Sequence, residues 1–203
     1  MKRKNVAFWV TRTGLMLALA LIAQAIRLVI PAVPTLVVGS LVNTTLIVAT
    51  GMVGLSSALV IAIVTPVVAL LQGFLPHVLM VPGVMVGQIV LVVIYYYMSK
   101  LAYGEKLVPY GLNRWCAMIT AAIAKFTSLY FLVIKWLLPL VITAKTTELS
   151  DKLVAEQVAT QTQKIYATIS AAFTWPQLIN ALIGGALALI ILAILEKAVP
   201  KRE

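Results

Sequence analysis

Long apolar stretches separated by short polar ones dominate the chain, and their lengths suit membrane-spanning helices. A helix that crosses a bilayer needs about 20 consecutive apolar residues. Six segments fit this requirement, at about 8–30, 36–54, 56–73, 82–100, 115–142 and 173–196. The pattern therefore predicts an all-α integral membrane protein, in which a bundle of six transmembrane helices forms one membrane domain over residues 1–203.

One segment, 144–172, breaks this apolar pattern because Thr, Glu, Lys, Gln and Ala dominate it. Apolar residues recur through the segment at a spacing typical of a weakly amphipathic helix. We expect an external helical insertion before the last span. A lid over the bundle and a solvated linker helix explain this pattern equally well.

The charge distribution sets the topology. The chain is 62% hydrophobic, with a mean hydropathy of +1.05 and a formal net charge of +10. Basic residues gather before the first span, between the fourth and fifth, and after the sixth, and six spans place these three regions on one side. The positive-inside rule makes that side cytoplasmic, which predicts that both termini are cytoplasmic. Nucleic acid is not expected as a partner, because no soluble module is present to bind it.

Amide and basic side chains interrupt the spans at similar depths, mostly in their outer halves under this topology. Polar groups in hydrocarbon are costly and usually face a cavity. Amides both donate and accept hydrogen bonds, whereas cations only donate, so the set suits a small polar ligand with a negative charge. Helix-to-helix hydrogen bonding is the alternative for any single amide, and snorkelling to lipid headgroups is the alternative for the arginine. The candidate substrate-binding residues are Gln24, Arg27, Asn43, Gln72, Gln88, Lys135, Gln177 and Asn180.

Small residues share one face of the first span. Gly14, Ala18 and Ala25 fall within about 40° of one another at 100° per residue, away from Gln24 and Arg27. Such a stripe lets a second helix approach closely. Docking of a partner protein and packing within this bundle are the two interpretations.

Motifs for chemistry are missing from the sequence. It has no HExxH, GxSxG or Walker A motif, and one Cys and one His form neither a metal site nor a catalytic centre. The chain is therefore predicted to be non-catalytic and to need no cofactor or metal. A membrane protein with a binding pocket and no energy source of its own suggests a subunit that others drive.

Four features match one transporter family in pattern. A basic N-terminus leads into an Ala-rich first helix, and a short Pro turn precedes the run GSLVN at 39–43. Thr65 and Pro66 lie in the third span, and the last span reads PQLINALIGG over 176–185. With its size and six spans, the whole chain resembles the substrate-binding S components of energy-coupling factor (ECF) vitamin transporters.

The resemblance implies a subunit of a prokaryotic plasma membrane that captures a vitamin from outside under a loop gate. It also implies partners, namely a transmembrane coupling subunit and two cytoplasmic ATPases, whose ATP-driven movement topples the S component and carries its pocket inward. In that family an AxxxA-type stripe on the first helix docks against the coupling subunit. An exact AxxxA is missing here, and the nearest equivalent is Gly14 and Ala18, continued by Ala25.

The candidate substrate-binding residues indicate which vitamin is bound. Arg27 and Lys135 are the candidates to pair with a carboxylate, since a charge-assisted hydrogen bond is a strong anchor, and the amides suit hydroxyl and amide groups. Pantothenate carries all three features and is favoured. A cobalamin, folate or niacin S component is the alternative within the family. A stand-alone channel or carrier for small solutes and a structural or assembly factor without a ligand are the alternatives outside it.

Overall fold

The computed structural model describes residues 3–75, 78, 80–101, 110–140 and 155–198. Helices form the framework throughout these ranges, and no strand occurs in them. The first five helices are α1 Arg3–Val29, α2 Thr35–Met52, α3 Leu55–Leu71, α4 Met80–Leu101 and α5 Tyr110–Leu129. A π-helix, Tyr130–Leu137, extends α5, and α6 Ala155–Phe173 and α7 Trp175–Ala198 follow. The predicted all-α class is confirmed.

Within the described residues, five stretches are long and apolar enough to cross a membrane. They are Val6–Val29, Thr35–Met52, Met80–Lys100, Gly111–Leu140 and Thr162–Ala198. The third predicted span, α3, is shorter at 17 residues. At 1.5 Å per residue it extends about 26 Å, just under the thickness of a hydrocarbon core. Large apolar side chains such as Ile22, Leu71 and Ile194 are exposed on the outside of the bundle, as expected of a surface that faces lipid.

α1 begins at Arg3 rather than near residue 8, and the fifth helix begins at Tyr110 rather than near residue 115. Hydropathy alone excludes this polar first turn, but tertiary contacts hold it in the helix. The side-chain amide of Asn113 donates to the Ser99 carbonyl (3.1 Å), and Arg114 pairs with Glu196 (2.7 Å). The insertion predicted at 144–172 is helical from Ala155 onward, and its part before that residue lies outside the described ranges.

One end of the bundle carries the basic residues. The indole of Trp9 at the start of α1 donates to the Ser56 hydroxyl at the start of α3 (3.1 Å). The end of α4, the start of α5 and the end of α7 meet through the contacts of Asn113 and Arg114. The start of α1 and the end of α7 therefore both lie at this end, which we call the basic end, and the opposite one is the distal end. The basic side chains that lie towards it are Arg12, Lys100, Arg114 and Lys197.

Glycines bring α2 and α7 together as a parallel pair. Gly39 packs against the Asn180 amide, and Gly184 packs against the Ser40 carbonyl and the Asn43 side chain. Further towards the basic end, Gly51 packs against Leu192. Because a Cβ on Gly184 would overlap the backbone oxygen of α2, this approach requires glycine there.

A GxxxG pair in α4, Gly83 and Gly87, brings this helix against the fifth one. A Cβ on Gly83 would lie 2.7 Å from Val133, and one on Gly87 would lie 2.7 Å from Leu129. Both distances are too short for an unperturbed contact. Gly83 and Gly87 therefore allow close approach of the two helices.

Gly184 provides a test of the α2–α7 packing. We expect Gly184→Ala to lower the free energy of unfolding by about 1–3 kcal/mol, because the added methyl group overpacks a contact with backbone. Gly14→Ala is the matched control, since Gly14 is also helical and a Cβ added to it would meet no atom within 4 Å. The control should change stability by less than about 1 kcal/mol. Thermal unfolding in detergent measures both, and equal midpoints for the two variants would contradict the packing described here.

Candidate functional site

Six buried polar side chains lie between two apolar cores. The inner core contains Ala122 and Leu91 and lies towards the basic end, whereas the outer core contains Met80, Leu129 and Val133. Each of α1–α5 and α7 contributes one residue to this set, although other polar side chains, such as Ser40, Thr44 and Ser57, are buried as well. We call this set the polar layer, and it comprises Gln24, Asn43, Thr65, Gln88, Lys125 and Asn180.

One half of the polar layer joins α1, α3 and α4. The side-chain amide of Gln24 donates to the backbone carbonyl of Thr65 (3.0 Å). The Thr65 hydroxyl is shared between Oε1 of Gln88 (2.8 Å) and the Ile61 carbonyl (2.8 Å). These bonds use hydrogen-bonding groups on three helices. Oε1 of Gln24 is buried and has no partner among the described residues.

The other half of the polar layer joins α2, α5 and α7. Nζ of Lys125 donates to Oδ1 of Asn43 (2.7 Å), and both side chains are at most 3% exposed. The Thr44 hydroxyl donates to the Gly184 carbonyl (2.9 Å), which ties α2 to α7 beside this pair. Asn180 lies one helical turn from Gly184 towards the distal end, and its Oδ1 is buried without a partner in the part of the chain described.

Helix register places the two halves at similar depth. Gly87 packs against Leu129, so these two residues lie at one level. Gln88 follows Gly87, and Lys125 lies one turn before Leu129, so both are displaced from that level towards the basic end. Lys125 is also at the midpoint of the apolar stretch Gly111–Leu140. The polar layer therefore lies at the middle of this apolar stretch at Lys125 and nearer the distal end at Gln24 and Asn180, which are five residues from the distal ends of α1 and α7.

Two further candidates lie nearer the distal end. The guanidinium of Arg27 stands 5.0 Å from the centre of the Phe74 ring, and its Nε is buried with no hydrogen-bond partner in the described ranges. Oε1 of Gln72 is likewise buried without a partner among them. The Arg27 side chain thus lies over an aromatic ring. A side chain that snorkels to lipid headgroups would instead extend away from the bundle.

The structure does not bring the remaining two candidates into the polar layer. Lys135 is exposed, and its ammonium lies 5.9 Å from the ring centre of Tyr130 on its own helix. Gln177 is half-buried in the first turn of α7. Nearby, Trp175 stacks on Phe126 with ring centres 5.7 Å apart.

The candidate set derived from the sequence leaves out Lys125 and Thr65. Lys125 lies deeper in its span than Lys135, which separates it from the other cations. Its central position is nevertheless an available signal, since an ionisable residue inside a membrane span is costly and usually functional. Thr65 gives no comparable signal, because threonine commonly bonds to its own helix, and only the fold places Gln24 and Gln88 beside it.

The fold and this layer define the chain as a helical, multi-pass membrane protein with buried polar side chains between two apolar cores. It belongs to the ECF transporter substrate-specific component family, whose model matches residues 9–196. It is therefore the substrate-specific, non-catalytic subunit of an ECF importer, a membrane protein that works with coupling and ATPase partners. No curated protein and no solved structure matches the chain.

Thr65→Val tests the first half of the polar layer. The variant keeps the shape of the side chain but removes the donor to Gln88, so we expect a loss of about 1 kcal/mol, as is typical for hydrogen bonds between membrane helices. Thr120→Val is the matched control, because the exposed Thr120 bonds to the Cys116 carbonyl of its own helix. Thermal unfolding in detergent should separate the variants, and an equally small effect of both would argue against the cross-helix bond.

Proposed function

We propose that this subunit captures a small, polar, anionic vitamin outside the cell, with pantothenate favoured, and delivers it inward when coupled to its partners. The single observation that carries the proposal is the polar layer, which combines amides and a buried ammonium. Acidic side chains are missing from the sequences of α1–α5. Such a site favours an anion over a cation, because nothing in those helices offsets its positive charge.

Four buried atoms without partners among the described residues support a ligand that both donates hydrogen bonds and carries a negative charge. Oε1 of Gln24, Oε1 of Gln72 and Oδ1 of Asn180 are acceptors, whereas Nε of Arg27 is a charged donor. Burying such atoms unpaired is costly, so a ligand that satisfies them is favoured. Pantothenate has two hydroxyls and an amide N–H to donate, and its carboxylate can accept.

The topology proposed here has six spans with both termini in the cytoplasm. Counting α3 as a span brings the number from five to six. Its length of 17 residues lies at the lower end of the range for spanning helices. Basic side chains such as Arg12, Lys100 and Lys197 lie towards the same end of the bundle, which the positive-inside rule assigns to the cytoplasm. Arg27 is then near the outer surface, where a solute would enter.

The partners proposed are a membrane coupling subunit and two cytoplasmic ATPases, docked through Gly14, Ala18 and Ala25. Gly14 and Ala18 are exposed, and Ala25 is half-buried. A Cβ on Gly14 would meet no atom within 4 Å. Packing within the described bundle thus does not explain why residues 14 and 18 are small. Their small size favours docking of a partner helix on this face.

A binding assay with the purified protein tests the ligand class. Pantothenate, nicotinate, folate and cobalamin form the panel, and we expect pantothenate to bind most tightly. Arg27→Ala and Asn43→Ala should each weaken binding by roughly 10- to 100-fold, because each removes a charged or charge-positioning hydrogen bond. Isothermal titration calorimetry measures the affinities.

Lys197→Ala is the control for this assay, since Lys197 is exposed at the basic end, and it should leave the affinity unchanged. Tightest binding of cobalamin or folate would replace pantothenate but keep the function of a vitamin-binding subunit. Failure of every panel member to bind the folded wild type would contradict the proposed function.

Docking on α1 has a separate test. Ala18→Leu should reduce copurification with a coexpressed coupling subunit and its ATPases severalfold, because a larger side chain blocks close helix approach. Ala193→Leu is the matched control, since Ala193 is also an exposed alanine in a helix. Vitamin binding by the isolated subunit should survive in both variants. Equal copurification of the two would place the docking surface elsewhere.

A further inference from the structure

We propose that the ammonium of Lys125 is the anchor for the ligand's carboxylate, and that Asn43 is the residue that positions it. The inference rests on the function proposed above and deepens it. It assigns binding of the ligand's negative charge to a residue outside the set derived from the sequence. It also defines the ligand class more narrowly, as solutes with a free carboxylate.

The position of Lys125 is the first argument. The residue lies at the midpoint of the apolar stretch Gly111–Leu140, and its side chain is 3% exposed. A lysine near the end of a span can extend its ammonium to the membrane surface, but one at the centre cannot do so easily. Lys125 instead points into the bundle, where its ammonium reaches Asn43 on α2.

The charge balance is the second argument. The only acidic residue in the sequences of α1–α5 and α7 is Glu196, and it pairs with Arg114 at the basic end. A buried charge is costly unless it is paired, and a carboxylate on the ligand supplies the missing opposite charge. The other acidic residues of the chain all lie outside these six helices, and they are Glu105, Glu148, Asp151, Glu156 and Glu203.

The hydrogen-bonding capacity of the ammonium is the third argument. An ammonium has three donors and no acceptor, and within the described ranges it donates to Oδ1 of Asn43 (2.7 Å). Asn43 is itself held tightly, since it is 2% exposed and its Cβ packs beside Gly184. Asn43 therefore orients the ammonium and leaves donors for the two oxygens of a carboxylate.

The surroundings of Lys125 on the distal side suit a site that a ligand enters. Phe126, the next residue, stacks on Trp175 with ring centres 5.7 Å apart. The π-helix then begins at Tyr130, and the N–H of Leu138 bonds to the carbonyl five residues back, at Val133. Such wide turns occur frequently at functional sites. An aromatic pair and an irregular helix thus lie on the distal side of Lys125.

The other two candidate cations are placed for different roles. Lys135 is exposed, and the guanidinium of Arg27 lies over Phe74 towards the distal end. Within the described residues, neither donates a hydrogen bond to a side chain of the polar layer. Arg27 is then positioned to meet an incoming anion, whereas Lys125 is positioned to hold it at the end of its path.

Matched acid and neutral ligands test the anchor. The probes are pantothenate with pantothenol, and nicotinate with nicotinamide, and each pair differs in the carboxylate. We expect the wild type to prefer the acid of the pair that it binds by roughly 10-fold or more. Lys125→Gln, which removes the charge but keeps a donor for Asn43, should abolish this preference, whereas Lys125→Arg should retain part of it. Lys135→Gln is the matched control and should behave as the wild type.

Asn43→Ala tests the positioning role through the same ratio of acid to neutral affinity, which we expect to fall. A purely structural role would weaken both members of a pair equally. Thermal unfolding and gel filtration identify variants that fail to fold, and Lys125→Met is a second neutral variant because it keeps the length of the stem without a buried charge.

The outcomes separate this inference from the proposed function. Acid preference that persists in Lys125→Gln and Lys125→Met would overturn the anchor while vitamin binding stands. Tightest binding of cobalamin, or of a neutral member of a pair, would likewise overturn the anchor alone. No binding of any probe or panel vitamin to the folded wild type would overturn the proposed function together with the anchor.

Discussion

The bundle depends on the hydrogen bonds that polar side chains make with one another inside an apolar environment. Hydrocarbon offers no water to solvate an amide or an ammonium, so a buried polar group is costly unless another group of the protein or a ligand pairs with it. The Gln24, Thr65 and Gln88 contacts and the Lys125–Asn43 bond meet this need on two sides of the bundle. The same bonds fix which helix faces turn inward.

Small residues make these polar contacts possible. Without the hydrophobic effect to drive association, membrane helices pack by close approach. Gly184 brings α7 against the backbone of α2, and Gly87 brings α4 against Leu129. These approaches flank the polar layer on the sides where Asn43 and Gln88 lie. Tight packing and the candidate binding site therefore use the same helix faces. A ligand that enters the polar layer replaces contacts between helices with its own contacts to the same side chains.

The candidate site was only partly predictable. Gln24, Asn43, Gln88 and Asn180 were predicted from amides at similar depth, and they all lie in the polar layer. Depth along a helix does not specify direction around it, so an exposed lysine such as Lys135 was indistinguishable from one that faces inward. Whether any of these side chains binds a solute stays a prediction.

The sequence by itself determined the helical class, the approximate bounds of the apolar segments and the concentration of positive charge at one end. These features follow from hydropathy and charge, which depend only on residues close together in the sequence. Only the tertiary structure decided that Lys125 reaches Asn43, that Thr65 links Gln24 with Gln88, and that Gly14 faces outward. Each of these depends on the rotation and register of helices distant in sequence, which close packing between their surfaces sets.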